Sequence, residues 1–460
     1  MNSEPTYNIS GQNKGIADPF ERFLEFISKG SVLLIFAAVA AVIWANTNPS
    51  SYVHFWHTYF TVDASIFSVK MSVLHWINDG LMAIFFFVVG LEIKREFLAG
   101  EMSSVRQASF PIVAAFGGMI VPVIIFELFN LHGEAADGWG IPMATDIAFS
   151  LGVLAILGKR VPLSLKVFLT ALAIVDDLGA ILIIALFYGG NLNWISLMIA
   201  LGLLGILVIA NRMKVQDLRL YTFIGFIVWY FFLMSGVNGP GTGLHATIAG
   251  VLVAFTIPAR PKIKAVDFIK GIRQILHRFD DVSKKNDKLV LSHEQLSVIN
   301  DVEYSVMEVQ SPLQHIENQF HGVVNLIILP LFAFANAGLT LLSGTGGFIF
   351  TTVSFAIAIS LIIGKTVGIV LFSWLAVKFK IAIKPKTSSW LSFTGLGILG
   401  GIGFTMSIFI ASLAYQSEML INQAKIGIFI ASIFAGVTGY FLLKYSLKKD
   451  ESNVSRMIKK

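Results

Sequence analysis

Three acidic residues and one basic residue lie inside long apolar stretches of this chain. Asp176 and Asp177 are adjacent in the run AIVDDLG, Asp146 ends the run PMATD, and Lys365 follows the run AISLIIG. Ionisable groups are costly at membrane depth and usually mark ion or substrate pathways. We therefore treat these four residues as the candidates for chemistry.

Their distance from the nearest basic turn indicates that they share one depth. Asp146 precedes the turn 159–162 by 13 residues, Asp176 follows it by 14, and Lys365 precedes Lys378 by 13. At about 1.5 Å per helical residue, each stands roughly 20 Å from the basic end of its helix. Three carboxyl groups and one ammonium group are thus predicted in one layer near mid-membrane.

The adjacent aspartates cannot fill the same role, because successive helical residues point about 100° apart. Our hypothesis is that one binds a dehydrated cation and that the other, paired with Lys365, carries protons. A small hard cation prefers oxygen ligands, and the Thr145 hydroxyl with freed backbone carbonyls would complete its shell. If H⁺ and the cation compete for the same oxygens, binding one expels the other.

Structural roles are the alternative for each group. Asp146 alone could cap a broken helix or bond a neighbouring span, and Lys365 could be only a counter-ion. Burial and a nearby ammonium shift a carboxyl pKa in opposite directions, and the sequence leaves open which effect dominates. The pair Asp176 and Asp177 is harder to explain as packing, since two carboxyl groups in lipid are expensive.

The composition requires a membrane to surround these groups. The 460 residues are 55% apolar and 13% charged, whereas soluble domains carry roughly 25% charged residues. Cysteine is absent, which excludes disulfides and thiol chemistry. Apolar runs long enough to span a bilayer predict an all-α polytopic fold of twelve spans, near 31–47, 73–91, 109–129, 140–158, 164–187, 194–211, 219–236, 243–258, 322–342, 348–377, 389–415 and 424–443.

Lysine and arginine predict the orientation of the spans. Of the 34 such residues, 31 fall in the two terminal segments and in every second connection. Because cytoplasmic loops retain these residues, both termini are predicted to be cytoplasmic, and the basic pI reports topology and not a nucleic-acid partner. The predicted division is a cytoplasmic segment 1–30, spans one to eight in 31–258, a cytoplasmic connector 259–321, spans nine to twelve in 322–445 and a cytoplasmic tail 446–460.

The long connector contains one amphipathic pattern. Ile263, Phe268, Ile272, Ile275 and Phe279 recur at helical spacing among basic residues. This is typical of a helix lying on the inner leaflet, and a solvated connector is the alternative. No activity is assigned to it.

Helix-breaking residues occur at matching positions of two triplets of spans. Span eleven has five glycines within 395–403, which makes a continuous helix improbable. Span four is interrupted near Pro142 and Thr145. Spans three to five and ten to twelve run in opposite senses, so these breaks lie in the middle of inverted repeats. Facing half-helix ends would need a buried acid and a buried base, such as Asp146 and Lys365.

At these residues the chain resembles the NhaA family of Na⁺/H⁺ antiporters, itself a known case of inverted repeats with broken helices. The similarity runs from Asn78 to Tyr440 and is carried by four segments, 144–149, 171–179, 330–338 and 401–410. It implies crossed, unwound fourth and eleventh helices, with the break in the latter at Gly400, Gly401, Gly403 and Thr405.

The resemblance also implies a function and a site. The expected activity is electrogenic, pH-regulated exchange of Na⁺ or Li⁺ for protons across a bacterial inner membrane, in the service of Na⁺ and pH homeostasis. Asp177 and Asp176 would bind cation and proton, with Thr145 nearby and Asp146 compensating the helix ends, and Lys365 would pair with Asp176. No cofactor is expected, and a homodimer is a family-based expectation.

The family places pH-responsive groups at a cytoplasmic funnel. The matching residues are Glu92, Lys94, Arg95 and Glu96 after span two, and Glu317 and His321 before span nine. Ordinary interfacial anchors are the alternative. Asn318 replaces a histidine usual in the second group, which puts the pH set point in doubt and not the transport chemistry.

Two other classes of protein also place carboxyl groups in membranes. An intramembrane aspartyl protease needs two aspartates facing each other on separate helices, but the Gly-x-Gly-Asp context of that class is absent and Lys365 would have no role. A passive cation channel leaves a lysine in the pathway unexplained. Neither accounts for all four buried charges.

Overall fold

In the residues that the structure describes, the protein is a bundle of helices with one short β-hairpin. The computed structural model describes residues 19–64, 67–100, 102, 104–130, 132–236, 245–283, 290–340, 350–385 and 388–458. The helices are α1 Pro19–Thr47, α2 Pro49–His57, α3 Val73–His75, α4 Met82–Ala99, α5 Val105–Phe129, α6 Ile147–Leu157, α7 Leu163–Phe187, α8 Trp194–Arg212, α9 Leu218–Leu233, α10 Thr247–Thr256, α11 Ala265–Ser283, α12 His293–Val309, α13 Pro312–Val323, α14 Leu329–Asn336, α15 Thr352–Ile359, α16 Lys365–Lys378, α17 Trp390–Gly400, α18 Phe404–Ala414 and α19 Glu418–Ile458.

Tighter or wider helical turns join several of these elements into longer rods. Among the described residues, 3₁₀ segments cover Ala136–Met143 and Gly158–Arg160, and π-helical segments cover Trp76–Leu81, Val324–Ile328 and Ser360–Gly364. The last one lies directly before Lys365. We call the side of the molecule that holds the turn 158–162 the inner side.

Enough of these rods are apolar to make the chain a polytopic helical membrane protein. Among the described residues, nine helices are long and apolar enough to cross a bilayer, and the bent pair α17 and α18 adds a tenth. Two shorter apolar helices, α9 and α10, complete the set. The predicted fold class is confirmed at this level.

Small residues let the spans approach closely, as is usual where helices meet inside a membrane. Helices α5 and α16 cross where Gly117 meets Gly368. A Cβ added to Gly117 would lie 2.2 Å from the Gly368 carbonyl oxygen, and one added to Gly368 would lie 2.1 Å from the Gly117 oxygen. This crossing fixes α16, which begins with Lys365, against the third span.

Both predicted helix breaks are present. The 3₁₀ segment Ala136–Met143 gives way to extended backbone, and α6 then starts after Asp146, whose side chain accepts a hydrogen bond from the Phe149 N–H. Helices α17 and α18 meet at a bend of 44°. A Cβ at Gly401 would lie 2.4 Å from the Leu361 carbonyl oxygen, so the second break requires glycine there.

A β-hairpin between the first two spans was not predicted. Strands β1 Tyr59–Ala64 and β2 Phe67–Ser72 pair antiparallel, with Tyr59 opposite Ser72. Alternating apolar residues such as Phe60 and Val62 are present, but the segment is too short to be distinguished from a loop by periodicity alone.

The connector between α10 and α13 contains the predicted amphipathic helix. That helix is α11, and it packs against α12 to form a helical hairpin. Arg278 pairs with Asp301 at 3.3 Å, and the Gln295 amide donates to the Ser283 hydroxyl at 3.1 Å. Phe268 and Phe279, on the predicted apolar stripe, are half-buried. Contact of this hairpin with the inner leaflet stays a prediction.

Candidate functional site

The four candidate residues converge from three separate elements. Asp176 and Asp177 lie in the middle of α7, Asp146 directly precedes α6, and Lys365 opens α16. Their exposed fractions are 0%, 2%, 1% and 0% respectively. All four side chains are therefore buried, and the contacts described next bring them together.

Lys365 pairs with Asp176 and not with Asp177. Its ammonium contacts Asp176 Oδ2 directly, and both side chains are fully buried. Thr145, also fully buried, has its hydroxyl 2.8 Å from the same oxygen. The other oxygen of this carboxyl group, Oδ1, is buried and has no hydrogen-bond partner. The ion pair thus leaves one carboxylate oxygen available for another ligand.

The Thr145 hydroxyl lies between two acceptors. It is 2.8 Å from Asp176 Oδ2 and 2.9 Å from the carbonyl oxygen of Gly400, the last residue of α17. A hydroxyl has one hydrogen to donate, so it serves one acceptor fully at a time. If Asp176 is protonated and donates to Thr145, the threonine hydrogen is freed for Gly400. This residue therefore links the charge of Asp176 to the second helix break.

Asp146 joins the two breaks. Its Oδ1 accepts from the Phe149 N–H at 2.9 Å, and its Oδ2 accepts from the Thr405 N–H at 3.1 Å and the Thr405 hydroxyl at 2.6 Å. It therefore caps α6 and meets the first turn of α18. Both are helix N-termini, where negative charge is favourable. Its own N–H donates to the Ile402 carbonyl at 2.6 Å.

Asp177 faces a small chamber. A cavity of about 40 Å³ is lined by Asp177, Asp146 and Thr405 and also by Glu92 and His321. A water needs only about 10–15 Å³ of such volume. The chamber therefore has room for a small cation with some of its water, directly against the Asp177 carboxyl group.

Two serines that the sequence analysis did not select tie the broken helices together. Ser150 donates to the Leu399 carbonyl at 2.9 Å, and Ser407 donates to the Ile141 carbonyl at 2.9 Å. Ser150 lies just after the first break and binds a carbonyl of α17, before the second break. Ser407 lies just after the second break and binds a carbonyl before the first. A hydroxyl within one turn after a break is the sequence signal that could have found them.

The residues predicted to respond to pH form a cluster on the inner side, with one exception. Arg95 pairs with Glu96 at 2.9 Å and with the buried Glu317 at 3.1 Å. Glu92 and His321 line the chamber that reaches Asp177. Lys94 instead donates to the Phe255 and Ile257 carbonyls at 2.6 and 2.5 Å, at the end of α10.

Comparison of the sequence with known proteins finds a family and close relatives. The sequence matches the family Na⁺/H⁺ antiporter 1 over residues 21–443. It is 46% identical over 430 residues to Na⁺/H⁺ antiporter NhaA 2 of Syntrophotalea carbinolica, covering 93% of this chain and 96% of that protein. The chain is 46% identical over 438 residues to the NhaA antiporter of Phocaeicola vulgatus, covering 94% of this chain and 96% of that protein. The NhaA antiporter of Sulfurimonas denitrificans is 42% identical over 436 residues, with the same coverage.

The chain belongs to the NhaA family of Na⁺/H⁺ antiporters. The family assignment made from the sequence motifs is confirmed. As an NhaA-family protein it is a multi-pass bacterial membrane protein, and the matched range contains both helix breaks and the four candidate residues Asp146, Asp176, Asp177 and Lys365. NhaA relatives are named as antiporters, that is, as transporters.

Proposed function

We propose that this NhaA-family protein exchanges Na⁺ or Li⁺ for protons, using Asp177 and Asp176 as the shared binding groups. The observation that carries the proposal is the buried cluster in which Asp176 pairs with Lys365 while Asp177 faces the chamber. A buried carboxylate without a compensating charge is expensive. Asp177 must therefore be neutralised by a proton or by a cation.

The proposed ligands for a cation are the two aspartates and the hydroxyl beside Asp176. Asp177 supplies its carboxylate, Asp176 supplies the unpaired Oδ1, and Thr145 supplies its hydroxyl. Oxygen ligands of this kind suit Na⁺ and Li⁺. Because Thr145 also bonds Gly400, cation binding and the second helix break share one side chain.

Charge balance supports electrogenic exchange. With Na⁺ bound between the carboxylates of Asp176 and Asp177 and Lys365 protonated, these three side chains and the ion together are neutral, and Asp146 keeps a constant charge throughout. With one proton on each of these two carboxyl groups and Lys365 still protonated, the same three side chains carry one positive charge. A cycle between these two loaded states exchanges more protons than Na⁺ and moves net charge.

Asp146 is proposed to compensate the facing helix ends rather than to carry ions in each cycle. Its two oxygens are already occupied by the Phe149 N–H and by Thr405. Because Asp146 also lines the chamber, we propose that its carboxyl group contributes to the cation site. The hydrogen bonds of Thr145, Ser150 and Ser407 across the breaks support crossed fourth and eleventh helices.

The whole-molecule arrangement is proposed as predicted. It has twelve spans, with α9 and α10 as the seventh and eighth. The chain divides into segments 1–30, 31–258, 259–321, 322–445 and 446–460. Both termini are cytoplasmic, the membrane is the bacterial inner membrane, and the assembly is a homodimer in a lipid bilayer. The protein is not an enzyme and needs no cofactor.

The inner-side cluster is proposed to set the pH response. Glu92 and His321 border the chamber next to Asp177, and Arg95 holds Glu317 nearby. Charge changes in these groups therefore act at the mouth of the site. Glu92→Gln and Glu317→Gln should move the pH of half-maximal exchange more than Lys94→Ala, because Lys94 bonds the end of α10 instead.

Reconstituted vesicles test the function directly. With a pH-sensitive dye inside, added Na⁺ should collapse a preformed pH gradient in wild-type vesicles, and Asp177→Asn should abolish this response while the protein remains folded. Na⁺ flux with no linked proton movement would favour a channel, and cleavage of a membrane peptide would favour a protease. Membership in the NhaA family favours neither of them.

A further inference from the structure

The inner end of α17 is held by a carboxylate from another helix. Ser389, Ser392, Ser446 and Asp450 form what we call the serine–aspartate cluster. Asp450 Oδ2 accepts from the Ser389 N–H at 3.3 Å, the Ser389 hydroxyl at 3.0 Å and the Ser392 hydroxyl at 2.8 Å. The Ser446 hydroxyl is 2.6 Å from that of Ser392 and 3.1 Å from that of Ser389.

This cluster completes the N-terminus of α17. The first N–H groups of a helix lack intrahelical partners, and the Ser389 hydroxyl accepts from the Ser392 N–H at 3.3 Å. Asp450 then places a negative charge at the positive end of the helix dipole. Ser392 and Ser446 are fully buried. The cap of α17 is therefore built partly from α19, and the two helices are joined there by charge-assisted hydrogen bonds.

The other end of α17 lies in the ion site. Its last carbonyls are those of Leu399, bonded by Ser150, and Gly400, bonded by Thr145 next to Asp176. Eleven helical residues extend about 16 Å. A rod of this length transmits a shift at its inner end to the carbonyls at its outer end.

The side of α17 also packs tightly on α19. The ideal Cβ position on Gly395 lies 2.7 Å from Leu443 Cγ, and that on Gly439 lies 2.5 Å from Leu399 Cδ2. With interiors packed this closely, sliding of α17 along α19 is hindered between the two ends. Packing along the helix and the hydrogen bonds to Asp450 at its inner end thus act together to fix the position of α17 against α19.

We propose that Asp450 is a positioning residue for ion exchange: it holds α17 at the height that keeps the Gly400 carbonyl against Thr145 at the cation site. This inference rests on the roles proposed above for Asp176 and Thr145. Asp450 touches no ion itself. Its loss should weaken cation binding more than it slows the turnover of a loaded carrier.

The test measures Na⁺-driven proton movement in vesicles as a function of Na⁺ concentration. Asp450→Ala should raise the half-saturating Na⁺ concentration about tenfold, with maximal rate within about twofold of wild type. Asp450→Asn keeps an acceptor oxygen and should recover most of the affinity. Ser392→Ala, which removes one donor, should fall between them. Asp281→Ala, an exposed carboxylate on α11, is the matched control and should match wild type.

A double variant tests whether the effect passes through α17. Ser150→Ala removes the hydrogen bond at the far end of the same helix, so Asp450→Ala combined with Ser150→Ala should raise the half-saturating concentration by less than the product of the two single effects. Unchanged affinity in folded Asp450→Ala, or an effect that simply multiplies with Ser150→Ala, would overturn the proposal. If wild-type vesicles exchange Na⁺ but the variants give these contradicting results, only the role of Asp450 is wrong and the proposed function stands. If wild-type vesicles do not exchange Na⁺, the proposed function fails first.

Discussion

Replacing Lys365 by methionine removes the ammonium that pairs with Asp176 and keeps a side chain of similar length. Both partners are fully buried in the described structure. At a contact distance of about 3 Å and an effective dielectric constant of about 20, two unit charges attract by about 5–6 kcal/mol. Removing one partner of a buried pair typically costs about 3–5 kcal/mol, because the other charge is left uncompensated. We therefore expect Lys365→Met to be clearly less stable than wild type.

The matched control removes both charges. A buried pair replaced by neutral groups of similar volume is often neutral in stability. Lys365→Met combined with Asp176→Asn should therefore recover most of the stability lost in either single variant. The apparent melting temperatures of the variants, measured by tryptophan fluorescence in the same detergent, test this comparison.

Transport by the double variant should separate stability from mechanism. Asp177 remains as the titrating carboxyl group, so one proton should exchange for one Na⁺ and the exchange should carry no net charge. Vesicles with a voltage-sensitive dye would detect this change. A double variant no more stable than Lys365→Met, or one whose exchange still moves charge, would refute the assignment of Lys365 and Asp176 as a charge pair in the cycle.

Three further variants probe the scaffold around the site. Gly368→Ala should disrupt the crossing of α5 and α16, since its Cβ would lie 2.1 Å from the Gly117 carbonyl oxygen, while Gly202→Ala, with open space, should be tolerated; yield of folded protein distinguishes them. Asp146→Ala leaves the helix-end N–H groups without their acceptor and should raise the half-saturating Na⁺ concentration about tenfold, with Asp146→Asn less affected. Ser407→Ala should cost about 1–3 kcal/mol of stability, because a buried carbonyl loses its donor; equal melting temperatures would contradict that role.

The sequence made it easier to pick out the buried charged residues than the contacts between helices. Charges inside apolar runs are rare enough to stand out, so Asp146, Asp176, Asp177 and Lys365 were identified with their common depth. The glycines and Pro142 also predicted the positions of both helix breaks. These signals are local, and each arises from a strong energetic rule about membranes.

Pairing between distant residues could not be predicted in the same way. Ser150 and Ser407 resemble ordinary small helix residues until the two breaks are brought together. The Asp450 cluster joins residues that are far apart in sequence, and a serine at a helix start is common. The β-hairpin was not predicted for a different reason: its short strands give too weak a periodic signal.

The most direct test of the central claim is proton release on Na⁺ binding. Purified protein in weakly buffered detergent solution, at a pH where the site is protonated, should release protons when Na⁺ is added, and Asp177→Asn should release almost none. The Na⁺ needed for half of the release should rise as the pH falls, by about tenfold per pH unit for each competing proton. Saturable Na⁺ binding with no proton release, at an affinity independent of pH, would contradict competition for the same carboxyl oxygens.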